Sequence, residues 1–234
     1  MQTMKTLKPA FTKANKYLFD PSAYSWSLPS GTSCPFALKC LAAANRSTGK
    51  IISGPRQEFK CYSAQYERYP SVRARVWANL DAVRGLNPNE VCDLLDSVKP
   101  TKAKLIRVHS GGDFFSQDYF DGWLKFVSKN EDCWFWAFTK SIPYWVNRID
   151  SIPDNLNMIA SYGGKRDDLI EAHNLRSALV TYSTGEAEEA GLPVDTDDRI
   201  AAYGKTNFAL IEKKAARREA ATKAKKEPTH EEAT

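Results

Sequence analysis

Three cysteines in loop sequence, Cys34, Cys40 and Cys61, constrain this chain more than any other feature. A fold that uses them as one ligand set must bring the chain back from Cys40 to Cys61 and hold all three on one side. Soft thiolates suit zinc, copper(I) and iron–sulfur clusters. A structural zinc site asks for four ligands, often in two closely spaced cysteine pairs. Here five residues separate Cys34 from Cys40 and twenty separate Cys40 from Cys61, a poor zinc-ribbon pattern. Three is also one short of the usual cluster set, which leaves one iron for a non-cysteine ligand. The competing reading is three ordinary buried thiols. Against it, all three stand in loop sequence rich in Pro, Gly and Ser, and none sits on an amphipathic face. Metal binding by Cys34, Cys40 and Cys61 is therefore the expectation. Cys92, beside Val91, Leu94 and Leu95, reads as core, and Cys133 as the start of a strand on the far side of the fold. Five unevenly placed cysteines do not make a disulfide framework.

The rest of the chain alternates strand and helix patterns. Tyr24 to Leu28 alternates apolar and polar residues and stops at Pro29-Ser30-Gly31. Val72, Val76, Leu80 and Val83 have helical spacing, with Gly85 after them; Pro88 opens a second helix. Strands are expected at Leu105–Val108, Cys133–Phe138, Leu156–Ala160 and Ala178–Thr181, with a sixth at Arg199–Tyr203. Helices are expected over 117–129, 143–149, 167–173 and 186–190. This alternation implies βαβ units and a parallel sheet. No Gly-x-Gly-x-x-Gly follows the first strand, which counts against a Rossmann fold. The expected class is α/β: a single-domain partial (β/α)6-type barrel with parallel strands over residues 22–211. Residues 1–21 read as an arm lying across its surface, 41–60 as a flexible basic excursion, and 212–234 as a charged helical or disordered tail. Barrels of this kind carry their working residues at the carboxyl ends of strands.

A second feature follows the strand at Leu105–Val108: His109-Ser110-Gly111-Gly112-Asp113. Two glycines allow positive φ and close backbone approach by a ligand. Ser110, Gly111, Gly112 and Asp113 are thus candidates for holding a small molecule's carboxylate and ammonium. The other reading is a tight turn with Asp113 capping the next helix. His109 is open to three readings: a fourth iron ligand, a proton carrier or a histidine bonded to backbone. Lys140, also at a strand end, faces either the mouth or solvent. Trp134, Trp136 and Phe138 read as core, with base stacking the alternative.

Charge is unevenly spread. Residues 1–60 carry nine Lys or Arg against Asp20 and Glu58, whereas 61–211 carry 17 basic and 21 acidic residues. The positive potential lies beside the cysteines, where it would attract nucleic acid, another polyanion or an anionic cofactor, or be simply solvated. No apolar run approaches the ~20 residues of a membrane span. Met1 to Lys16 has lysines without an apolar core, so a cytoplasmic protein is expected.

Five runs carry a resemblance. They are 26–35 (WSLPSGTSCP), 61–64 (CYSA), 68–73 (RYPSVR), 109–116 (HSGGDFFS) and 134–141 (WFWAFTKS). Over roughly residues 20–185 the chain resembles the bacteriophage "gene product eighty-eight" family. More distantly it is similar to radical-SAM enzymes, which place three cysteines after the first barrel strand and a Gly-Gly-Glu motif after the second. That likeness implies a [4Fe–4S] cluster on Cys34, Cys40 and Cys61, with S-adenosylmethionine at the open iron and Gly111, Gly112 and Asp113 in the glycine–acid role. The cysteine spacing is looser than the C-x3-C-x2-C of those enzymes, and Asp113 replaces the glutamate. The other function read from the sequence is a phage accessory protein that binds nucleic acid or a host protein through its basic N-terminal region, with only a structural metal.

Overall fold

The computed structural model describes residues 7–13, 18–212 and 215. Strand β1 (Thr12–Lys13) pairs antiparallel with β2 (Tyr24–Trp26). A separate two-stranded hairpin follows, β3 (Ala42–Ala44) with β4 (Ile51–Ser53). Helices α1 (Tyr62–Tyr66), α2 (Pro70–Val83) and α3 (Pro88–Val98) lead to β5 (Leu105–Val108). Then come α4 (Gln117–Lys129), β6 (Trp134–Thr139), α5 (Ile142–Val146), β7 (Leu156–Ser161), α6 (Asp168–Ala172), β8 (Ser177–Thr181), α7 (Thr184–Glu189), α8 (Arg199–Tyr203) and β9 (Phe208–Ile211). The main sheet runs β1-β2-β5-β6-β7-β8-β9, and from β2 onward every pairing is parallel. It is a mixed α/β fold on a mostly parallel central sheet.

A parallel sheet is covered on both faces, so its strands must be apolar on both. Strand β6 meets that demand: Phe135 and Ala137 join the larger core under the helices, while Trp134, Trp136 and Phe138 pack on the other face. Helix α4 lays Tyr119, Phe120, Trp123, Phe126 and Val127 on the sheet, as its spacing predicts, and Ser116 caps it by accepting from Tyr119 N. Each such large side chain contributes about 1.5–3 kcal/mol on burial. Asn87 and Glu90 form a capping box at α3. Gly122 lets α3 and α4 close together, because a Cβ there would sit 2.5 Å from Val91 Cβ.

Three expectations are corrected. The N-terminal arm is not merely superficial: Phe11 is buried against Trp26, Trp123 and Phe126, and β1 edges the sheet. Tyr17 lies outside the described residues. The basic excursion contains a hairpin, too short and alanine-rich to register as strand. Arg199–Tyr203 is helix, not strand, because Asp197 and Asp195 accept the N–H groups of Arg199 and Ala201 at its start. The last strand is Phe208–Ile211 instead. The charged tail beyond Glu212 lies outside the described residues, Ala215 excepted. Among the described residues no helix is long and apolar enough to cross a membrane.

Candidate metal centre at the carboxyl end of the sheet

The turn after β2 carries Cys34. Ser33 N and Oγ both donate to Pro29 O, and Cys34 N donates to Gly31 O. Gly31 has φ +74, and a Cβ there would lie 2.5 Å from Ala42 O, so only glycine lets the hairpin press on this turn. Gly31 N in return donates to Cys34 Sγ at 3.4 Å. The next loop carries Cys40 and is stitched to the exit of β7: Leu38 N and Lys39 N donate to Gly163 O, and Lys165 N donates to Phe36 O. Cys61 is the N-cap of α1, its Sγ accepting from Ala64 N at 3.5 Å.

The turn after β5 brings these segments together. Leu28 N donates to Gly111 O at 2.8 Å, and Tyr62 Oη donates to Ser110 O at 2.9 Å. A Cβ on Gly111 would run into Ser63 Oγ, beside Cys61. A Cβ on Gly112, which has φ +82, would lie 2.5 Å from Ser33 Oγ, beside Cys34. The two glycines are therefore required by the two thiol-bearing segments that lie on them. Ser110 Oγ is 2.6 Å from Ser25 Oγ.

The thiols share one electrostatic neighbourhood. Burial pushes the Cys34 thiol well up, and the charges of Asp113, Cys61 and Cys40 add to it against the opposing Gly31 N–H. Burial also raises Cys40, where the Lys140 ammonium opposes it and Cys61 and Asp113 reinforce it. Lys140 itself is buried, its Nζ donating to Ser161 Oγ at 2.5 Å. Among the described residues no three His, Cys, Asp or Glu gather tightly enough to hold a single metal ion. A cluster makes a different demand: each thiolate meets its own iron, so the thiols need a common volume, not a common point. The soft donors fit that group in type, and number three of the usual four.

Asp113 and His109 are engaged elsewhere. The Asp113 carboxylate accepts from Thr139 Oγ1 at 2.6 Å and from Lys140 N and Phe114 N at 2.8 Å. Burial pushes it up to about 6, with those donors opposing. His109 has φ +63 and turns its ring into the helix-side core, against Phe114 and Trp123. Its Nε2 is 3.0 Å from Tyr119 Oη, and burial lowers it to about 3, so the ring is neutral. It is bonded to a side chain, not to backbone. Cys92 is buried on α3, and Cys133 donates to Ala103 O at 3.0 Å before the amino end of β6.

The sequence reading passed over Glu67 and Arg107. Glu67 is buried, and its Oε1 accepts from Ser30 N at 2.7 Å, tying the Cys34 turn to the end of α1. A lone acid in the basic stretch 59–80 was the available signal. Arg107, on the face of β5 that looks toward α8, pairs with Asp198 at 3.0 Å and donates to Tyr62 Oη at 3.2 Å. A charge inside an apolar strand marked it.

The family model described as Gene product 88 matches residues 2–227. The Gene 88 protein of Mycobacterium phage L5 is 25% identical over 149 residues, 55% of this chain and 60% of that protein. The Gene 88 protein of Mycobacterium phage D29 is 28% identical over the same shares. The chain thus spans less than two thirds of these relatives' length. No solved structure matches it.

Proposed function

The chain belongs to the Gene product 88 family, and we propose that it binds a [4Fe–4S] cluster through Cys34, Cys40 and Cys61. The observation that carries this reading is the packing of the Cys34 and Cys61 segments on one turn, where Gly112 meets Ser33 and Gly111 meets Ser63, with Cys40 in the same electrostatic neighbourhood. The Gly31 N–H aimed at the Cys34 sulfur opposes the burial that raises that thiol. Cluster binding must displace protons from Cys34 and Cys40, whose thiols burial holds above their ordinary range. Lys140, beside Cys40, balances part of the negative charge that results. The six parallel strands in chain order also support a partial (β/α)6-type barrel with these loops at its mouth.

Once bound, such a cluster would supply one electron to a small molecule on its open iron. S-adenosylmethionine is the finer version of that reading. Asp113 would have to leave Thr139 and Lys140 to meet an ammonium, so cluster binding stands without it. As a protein with phage relatives, it would work in the host cytoplasm. The test is anaerobic purification with iron and sulfide analysis. Brown protein with about four irons per chain is expected; colourless protein holding one zinc overturns the reading.

A further inference from the structure

The surface outside Cys61 combines an exposed aromatic ring with unpaired positive charge. Tyr69, at the corner between α1 and α2, is 62% exposed. Residues 39–80 carry eight Lys or Arg against Glu58 and Glu67. Glu67 is buried, and Glu58 is taken by Lys39 at 3.0 Å. Lys50, Arg56, Lys60 and Arg68 are exposed, and none is ion-paired within the described residues. Asp81, the next acid along the chain, is taken by Arg46.

The surface is also held in one piece. Arg73, buried, donates to the carbonyls of Arg46 and Ser47 in the hairpin turn and of Glu67 and Arg68 at the helix corner. Its guanidinium therefore clamps the hairpin to the α1–α2 corner. Gly49, φ +73, is needed there because a Cβ would lie 2.5 Å from Arg73 Nη1 and 3.2 Å from Arg68 O. The clamp sets the Gly49–Lys50 turn on the Arg68 carbonyl, and α1 packs along β3.

We infer that this face binds single-stranded nucleic acid, with a base stacked on Tyr69 and phosphates met by Lys50, Lys60 and Arg68. An exposed planar ring offers every base a stacking face, and clustered cations follow the backbone. A duplex keeps its bases stacked inside and cannot use the tyrosine, so the chemistry selects single strands. The inference is independent of the cluster, because none of the four residues is a thiol or touches Asp113.

The test is fluorescence anisotropy of the full chain with labelled dT20 and rU20 over a salt series, with a 20-bp duplex as competitor. Binding at low salt that weakens with added salt is expected, with the duplex a poor competitor. Tyr69→Ala should weaken binding roughly 5- to 150-fold, the range for losing one stacked base, and Tyr69→Phe should retain it. Lys60→Gln with Arg68→Gln should lower the salt slope by about 1.4. Both tyrosine variants alter an exposed ring, and a thermal melt confirms that they fold. Preference for dT20 or rU20 assigns DNA or RNA. Absence of binding at low salt, unchanged affinity of Tyr69→Ala, or a duplex that competes equally would each overturn the inference.

Discussion

The cysteines at the two ends of the sheet are used in opposite ways. At the amino end, Cys133 donates its S–H to Ala103 O and is 2% exposed. At the carboxyl end, the sulfurs of Cys34 and Cys61 accept from backbone N–H groups. Donation to a carbonyl favours the protonated thiol, whereas an N–H aimed at sulfur favours the thiolate and, at Cys34, opposes the burial that raises it. Residue type alone does not separate the two ends. The direction of the hydrogen bonds that backbone groups make with sulfur does.

The largest effect that could break this contrast is loss of metal. Cys34→Ala or Cys61→Ala should abolish bound iron in the anaerobic protein while leaving it folded. Cys133→Ala should keep its iron and lose about 1–2 kcal/mol of stability, measured by urea unfolding. Iron retained in Cys61→Ala would erase the distinction between the two ends.

Next in size is Gly111→Ala. The new methyl would meet Ser63 Oγ, forcing α1 and Cys61 outward at a cost of about 1–3 kcal/mol. Iron content should fall with it, and adding Ser63→Gly should restore both. Gly85→Ala is the control. Gly85 also has positive φ, +81, but nothing lies within 4 Å of its Cβ position. It should lose about 1–2 kcal/mol from backbone strain alone and no iron.

These contacts explain what was legible beforehand. Strands β5, β6 and β7 and helix α4 announce themselves because apolar runs bounded by polar turns are local signals. The cysteines and the Gly111–Gly112 turn stood out by residue type. What the two glycines do was not legible: their neighbours, Ser63 and Ser33, are 48 or more residues away in sequence. The same holds for Asp113, whose partners Thr139 and Lys140 lie on the next strand's exit. The hairpin and α8 were misread because three-residue strands of alanine and a five-residue helix of mixed propensity carry little period of their own.

Acid sharpens the contrast between His109 and Asp113, two buried groups in one turn. An unfolded histidine takes its proton near pH 6.5, the buried His109 ring only near about 3. Between those values the unfolded state binds more protons, so stability falls as pH falls, by up to about 1.4 kcal/mol per pH unit. Asp113 works the other way. Its folded carboxyl protonates near about 6 and its unfolded one near about 3.9, so the folded state gains over that window. Asp113→Asn should therefore steepen the acid loss between about pH 6 and 4. His109→Asn, which tolerates the positive φ, should flatten it. Urea midpoints measured across pH 4–7 for both variants decide the matter, and parallel curves would mean that neither group is buried as described.

The smallest expected effect is at Glu67, and it separates position from charge. Its Oε1 holds Ser30 N, while its Oε2 and the Ser30 hydroxyl are both buried without a partner among the described residues. Burial raises this carboxyl, and the Ser30 N–H opposes the rise. Glu67→Gln keeps the acceptor for Ser30 N and places an NH2 where the orphaned oxygen stands, within reach of the Ser30 hydroxyl. It should change stability by less than about 1 kcal/mol and leave iron content alone. Glu67→Ala removes the tie between the Cys34 turn and α1, strands the Ser30 N–H, and should cost about 1–3 kcal/mol. If that tie sets the spacing of the thiols, the alanine variant also loses iron faster to a chelator than wild type does, and the glutamine variant does not. Equal iron loss in both would mean that the carboxylate's charge, not its reach, matters to the mouth.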